Sequence, residues 1–441
     1  MTFRSLLALA VAGIVAVAPV AAASKNVRKH PPHRSSATPG MVWYVESVAD
    51  GGVVDAHSED LPINPASVVK IATSWWALEK LGPDHRFTTR FATKGTIDPS
   101  HGVLKGDLVV HGSGDPDFQT ENAFLVAQAL NRLGVRRVSG SIIVDGTFWM
   151  GWENGSQGTN PDPAKRGSLM ATRLRQALDP HRWNRAARQD WYEYATRNGL
   201  KRSPLPSVEV VGGAQFEPAP AGAETVLFEH QSKPLIETLR RFNAYSNNDI
   251  ERVAASIGPP SELSVLLADR LVAGASPVHI QTASGLGENR LSPRQIVAML
   301  RGFRTSAAGL GVGIENLLPV AGCDPGTVPA AFPRLSVPPF ATALVAKTGT
   351  LTSTDGGITV LAGFLNTVQG EVVFCIAVPH AAGHIRLARH TEESFLLDLL
   401  NRRGGATPRT CGPPLGLPGG NASIIDAELA STGSAGVAAQ R

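Results

Sequence analysis

The run Asn64-Pro65-Ala66-Ser67-Val68-Val69-Lys70 decides how this 441-residue chain is read. Ile71, Trp75, Trp76 and Leu78 continue it, and Gly82 stops it. Proline at the entry, where a missing N–H costs nothing, and glycine at the exit predict a helix over 65–81. On a helix the i,i+3 spacing puts Ser67 and Lys70 on one face, within mutual reach. A serine hydroxyl attacks poorly until a base takes its proton, and a lysine serves once burial or a nearby cation lowers its pKa. A Ser-x-x-Lys on a solvated helix is common and means nothing. Here it is the only one in a chain with ten lysines, and the apolar run behind it predicts a buried helix.

Two further motifs follow in order. Ser246-Asn247-Asn248 comes just after a helix expected over Leu235 to Asn243, and Lys347-Thr348-Gly349 lies in a strand expected over Ala343 to Leu351. Alone, the first reads as a turn and the second as a strand end. Together, in this order, the three match the motif set of penicillin-binding proteins and class A β-lactamases.

Around these motifs, Met41 to Val48 and Val53-Val54 flank Asp50-Gly51-Gly52, a hairpin signal. Strands are expected over Thr359 to Asn366 and Glu371 to Val378, and a last helix over Ile385 to Asn401. Two strands at the start and three at the end can close one antiparallel sheet with helices between. Between about 90 and 235 the pattern changes to short strands such as Leu108-Val109-Val110 and Ser141 to Val144. That region also carries a turn-rich loop over Gly155 to Lys165 and an arginine-rich helix over Arg173 to Asn198. Cys375 reads as a core thiol within a strand, and a pairing of Cys323 with Cys411 is left open.

The sequence resembles the D-alanyl-D-alanine carboxypeptidases/endopeptidases, the class C low-molecular-mass penicillin-binding proteins. Beyond the three motifs, the resemblance rests on Gly106 to Pro116, Gly134 through Asp145, and His230 to Leu235 leading into Tyr245-Ser246-Asn247-Asn248. Ser284-Gly285-Leu286, Asn289 to Ser292, Leu318 to Gly322 and Lys347 to Leu351 complete it. It implies an α+β fold: a penicillin-binding-protein/serine β-lactamase-like transpeptidase domain, an antiparallel sheet flanked by helices, with a large inserted domain. Ser246 lies 179 residues after Ser67, which leaves room for that insert at 91–235, within a catalytic domain of 41–90 and 236–401.

Carried over residue by residue, the resemblance implies Ser67 as acylated nucleophile, Lys70 as its general base, and Ser246 as proton relay to the leaving amine. Asn248 would bind the substrate amide. Lys347 and Thr348 would bind its carboxylate, with Gly349 and Thr350 beside them on the substrate-binding strand. The N–H groups of Ser67 and Thr350 would form the oxyanion hole. The implied activity is a serine D-Ala-D-Ala carboxypeptidase, with D-Ala cross-links as a further target, acting on peptidoglycan stem peptides without a cofactor and inhibited covalently by β-lactams. A β-lactamase or esterase on the same scaffold, and a non-catalytic cell-wall-binding protein, are the competing readings. One departure stands out: Thr282-Ala283-Ser284-Gly285 occupies the place of an Asp-Gly-Ser-Gly run.

The chain ends read separately. Arg4, an apolar core from Leu6 to Val20 and Ala21-Ala22-Ala23 form an export signal over 1–23, followed by a basic flexible arm over 24–40. Residues 402–441, rich in Gly, Pro, Ala and Ser, predict a disordered tail. The chain has a net charge of +4, yet residues 1–40 hold five cations and no acid, so the remainder carries −1. Global charge therefore gives no case for a nucleic-acid partner. No later apolar run is long enough for an integral membrane anchor. There is no Gly-x-Ser-x-Gly elbow or His-Glu-x-x-His, and His380 and His384 sit among glycine and proline, so a loop outweighs a metal site there. The expected location is outside the cytoplasm, in the periplasm or extracellular cell-wall space.

Overall fold

The computed structural model describes residues 40–152, 162–271, 277–416 and 420–427. The expected export signal and all but Gly40 of the basic arm lie outside these, as does most of the expected Gly155–Lys165 loop.

The two N-terminal and three C-terminal strands form one antiparallel sheet in the order Leu344–Leu351, Ile358–Leu365, Val372–Pro379, Val42–Ser47, Val53–His57. Every residue of Ile358–Leu365 is buried, so the sheet is covered on both faces. The alternation of a strand assigns each side chain to one cover. Val360, Ala362 and Phe364 join a core shared with the helix Val69–Leu81 and the helix Pro293–Gly309. Leu361 and Leu365 face the opposite core, which the terminal helix Ile385–Arg402 closes with Leu396, Leu399 and Leu400. Cys375 is free and buried in the first core.

The described residues of 88–231 build a second body. A six-stranded mixed sheet runs Ala214–Phe216, Ile142–Val144, Leu108–His111, Thr88–Thr93, Thr225–Gln231, Ser423–Asp426. A four-stranded sheet lies beside it, and the two surround their own apolar cluster. A buried ion pair ties this body to the first: Lys233 meets Asp117, which also accepts a 2.8 Å hydrogen bond from the Trp152 indole. Lys233 stands directly before Pro234, the N-cap of the helix Leu235–Tyr245. The pair therefore fixes the entry of the helix whose far end carries Ser246.

Two expectations are corrected. The tail is built into the fold where it is described. Cys411 is disulfide-bonded to Cys323, and Ser423–Asp426 pairs antiparallel with Thr225–Gln231. Composition averaged over forty residues hid a four-residue Ser-Ile-Ile-Asp strand, whose ladder comes from a partner distant in sequence. The single helix expected over Arg173 to Asn198 is two, Pro163–Leu178 and Arg185–Arg197, broken by a 3-10 turn at Pro180–Arg182. Proline cannot continue the hydrogen-bond ladder. Asp179 and Asn184 accept from His181 N at 3.0 Å and Ala187 N at 2.9 Å and start the next turns.

Candidate active site

Ser67 lies in a 3-10 turn, Ala66–Val68, that leads into Val69–Leu81. The turn is strained: Ala66 has φ +48°, a left-handed conformation that costs a non-glycine residue about 1–2 kcal/mol. Asn64 holds it there. Its Oδ1 accepts from Ala66 N at 3.0 Å, and its Nδ2 donates at 2.8 Å to both Gly287 O and Asp355 Oδ2. Arg290 clamps the same Asp355 carboxylate through two bonds at 2.8 and 2.9 Å. Over-determination of this kind is what lets a strained turn persist.

Two glycines press on the turn from either side. A Cβ at Gly285, where φ is +88°, would stand 1.9 Å from Ala66 O, and one at Gly349 would stand 2.7 Å from Pro65 O. This gives a physical reason for glycine in both motifs. Gly285→Ala should cost about 1–2 kcal/mol from the left-handed conformation alone, and more because backbone beneath Ser67 must move. A thermal melt and a penicillin acylation rate check it: both should fall, and an unchanged pair would contradict the packing described.

The three sequence motifs converge. Lys70 is entirely buried, and its Nζ donates to Ser67 Oγ at 2.8 Å, Asn248 Oδ1 at 2.8 Å and Ser284 O at 2.6 Å. Burial draws its pKa down to about 7, against the opposing charge of Glu251. Ser246 caps the helix Leu235–Tyr245 in a left-handed conformation (φ 56°). Asn247 follows with an Asx turn, its Oδ1 accepting from Asp249 N at 2.8 Å, which carries Asn248 to Lys70. Lys347, also entirely buried, donates to Ser246 Oγ at 2.9 Å and Thr348 O at 2.7 Å. Burial first, and the Lys70 charge second, hold its pKa well below the ordinary lysine range. Two buried lysines this closely coupled resist being protonated together.

The strand Leu344–Leu351 presents the remaining candidates. Thr348 Oγ1 donates to Thr327 Oγ1 at 2.8 Å, and Thr350 Oγ1 donates to Gly349 O at 2.7 Å while accepting from Arg389 at 3.0 Å. Sequence reasoning assigned no role to Thr327, Arg389, Asn64, Ser284 or Glu251. Asn64 and Ser284 lay within stretches that carried the resemblance; the others gave no local signal. A cleft of about 670 Å³ opens beside Asn248, lined by Trp149, Glu251, Arg252 and Thr282 among others. The Arg252 guanidinium lies 3.8 Å over the Trp149 ring. Among the described residues, no group of three or more His, Cys, Asp or Glu is placed to hold a metal ion, and no helix is long and apolar enough to cross a membrane.

A serine and a lowered-pKa lysine are thus in contact against an antiparallel sheet that carries a second buried lysine. The chain belongs to the D-Ala-D-Ala carboxypeptidase 3 (S13) family, whose sequence model matches residues 26–167 and 200–385. It is 28% identical over 357 residues to Carboxypeptidase Rv3627c of Mycobacterium tuberculosis, covering 74% of this chain and 73% of that one. It is 32% identical over 118 residues to a D-alanyl-D-alanine carboxypeptidase of Actinomadura sp., a match spanning 27% of this chain and 21% of that one. The fold is shared with the Bd0816 predatory endopeptidase of Bdellovibrio bacteriovorus, solved with an immunity protein. That similarity has a TM-score of 0.73 at 23% identity over 87% of this chain and 99% of the other.

Proposed function

We propose that this protein is an exported serine D-Ala-D-Ala carboxypeptidase that trims peptidoglycan stem peptides through a Ser67 acyl-enzyme, with D-Ala cross-links as a further target. The observation that carries this reading is the 2.8 Å contact between Ser67 Oγ and a wholly buried Lys70 whose pKa is pulled to about 7. Neutral Lys70 takes the hydroxyl proton as Ser67 Oγ attacks the carbonyl of the penultimate D-alanine. The N–H groups of Ser67 and Thr350 hold the oxyanion. The C–N bond then breaks, Ser246 passes a proton to the departing amine, and water later releases the shortened peptide from the ester. Asn248 binds the substrate amide; Lys347 and Thr348 hold the terminal carboxylate. A β-lactam enters the same sequence, but its leaving amine stays tethered, so the ester persists.

In this reading residues 91–235 are an insert within a catalytic domain of 41–90 and 236–401, and residues 1–23 direct export to the periplasm or extracellular cell-wall space. The Cys323–Cys411 disulfide supports an oxidising compartment. The β-lactamase reading lacks a carboxylate placed by motif to activate a deacylating water. Glu251, the acid whose charge reaches Lys70, has its two oxygens engaged by Ala283 N and Ser284 N.

Release of D-alanine from an N-acylated peptide ending in D-Ala-D-Ala tests the proposal directly; no release by the purified chain would refute it. The pH dependence is a second check. The active base is neutral Lys70, whose population grows as pH rises through about 7. Acylation should therefore climb about tenfold per pH unit below that value and level off above it. A flat profile from about pH 5 to 8 would contradict Lys70 as base.

A further inference from the structure

We propose that Glu251 is a positioning residue for the Lys70 base, holding the Ala283–Ser284 backbone so that the Ser284 carbonyl fixes Lys70 Nζ against Ser67. The inference rests on the reading of Lys70 as base.

The Glu251 carboxylate receives two consecutive peptide N–H groups, from Ser284 at 2.7 Å and Ala283 at 3.2 Å. Bonds from amide N–H to a carboxylate are charge-assisted and stronger than neutral ones. The same segment is tied on its other side to the nucleophile helix. Thr73 Oγ1 donates to Ala283 O at 2.6 Å, and Lys70 Nζ donates to Ser284 O at 2.6 Å. One residue on, Gly285 packs against Ala66 O, directly beneath Ser67. The peptide between 283 and 284 is thus stretched between Glu251 and Thr73, and displacement there moves an anchor of Lys70 and the floor of the Ser67 turn together.

The sequence shows why an outside acid is needed. Thr282-Ala283-Ser284-Gly285 contains no carboxylate of its own. The acid comes instead from the short helix Ile250–Ala255, three residues after Asn248, which itself touches Lys70 at 2.8 Å. Residues 248–251 therefore reach Lys70 twice, directly and through the 283–284 backbone. The charged group that bears on Lys70 is Glu251 from this helix; Lys347, on the strand Leu344–Leu351, is itself pushed down by burial and by the Lys70 charge. The neighbour Arg252 is turned to Asp249 at 2.9 Å and to the Trp149 ring. Glu251 thus counterbalances burial and keeps Lys70 from becoming too weak a base.

Glu251→Gln and Glu251→Asp separate charge from reach. Penicillin acylation would be timed across pH on the full chain, with thermal melts alongside. Glu251→Gln removes the charge that favours the ammonium form, so the rising limb should move to lower pH by at least about half a unit. Its plateau rate should fall about tenfold, because the amide's NH2 opposes one of the two backbone N–H groups. Glu251→Asp keeps the charge but cannot span both amides: its limb should stay near wild type while the plateau falls. If Glu251→Gln keeps the wild-type limb and plateau, or if both variants lower the plateau in step with melting temperature while neither moves the limb, the proposal is overturned. Failure of the underlying reading looks different: the wild type itself would form no adduct, or Ser67→Ala would form one at the wild-type rate.

Discussion

Lys70→Arg should give a folded protein that neither takes up penicillin nor releases D-alanine. A guanidinium stays protonated at any pH the fold survives, so it cannot accept the Ser67 proton. Its charge would suit the three acceptors around Lys70 Nζ, at Ser67 Oγ, Asn248 Oδ1 and Ser284 O, but suiting them is not the task. General-base catalysis is worth about 10²–10⁴ in rate, and the longer, planar head also has to fit where the Lys70 side chain has no exposed surface. A loss at the upper end of that range is expected. Fluorescent-penicillin labelling, read against circular dichroism to establish folding, checks it; labelling within about tenfold of wild type would show that the base is misassigned.

Ser67→Ala should have the larger effect. Without Oγ no ester forms with either peptide or β-lactam, and loss of a catalytic serine costs at least about 10⁴ in turnover. The fold should be little changed, because Lys70 retains Asn248 Oδ1 and Ser284 O as acceptors when Ser67 Oγ is gone. The Asn64 and Asp355 bonds that hold the turn do not involve the hydroxyl. The variant should therefore still bind a D-Ala-D-Ala peptide reversibly, with Lys347 and Asn248 in place, while releasing no D-alanine. Binding measured by calorimetry against turnover measured by D-alanine release separates the two. Turnover near the wild-type rate would place the nucleophile elsewhere.

The parts of this site that could be read in advance are those whose chemistry is local. Ser67 and Lys70 are three residues apart, so helical spacing brings them together, while Lys347 to Thr350 lie on one strand and were singled out by the motif order and the resemblance. The central sheet was legible for the same reason: Ile358–Leu365 and Val372–Pro379 are near-continuous apolar runs bounded by turn residues. What escaped reading depends on residues far apart in the chain. Glu251 meets Ser284 across 33 positions, Asn64 meets Asp355 across 291, and Arg389 reaches Thr350 from the terminal helix. The two- and three-residue strands at Arg137–Val138 and Glu209–Val210 carry too few side chains for any periodicity to show. The tail strand Ser423–Asp426 exists because Thr225–Gln231 offers it an edge, which no property of the tail itself announces.

The central claim is that Ser67 is acylated. Incubating the purified full chain with penicillin G, then measuring intact mass and mapping the modified peptide, tests it most directly. One penicillin per chain, carried on the peptide containing Ser67 and retained after the free drug is removed, is the predicted result. No covalent adduct, or an adduct on any other residue, would contradict it.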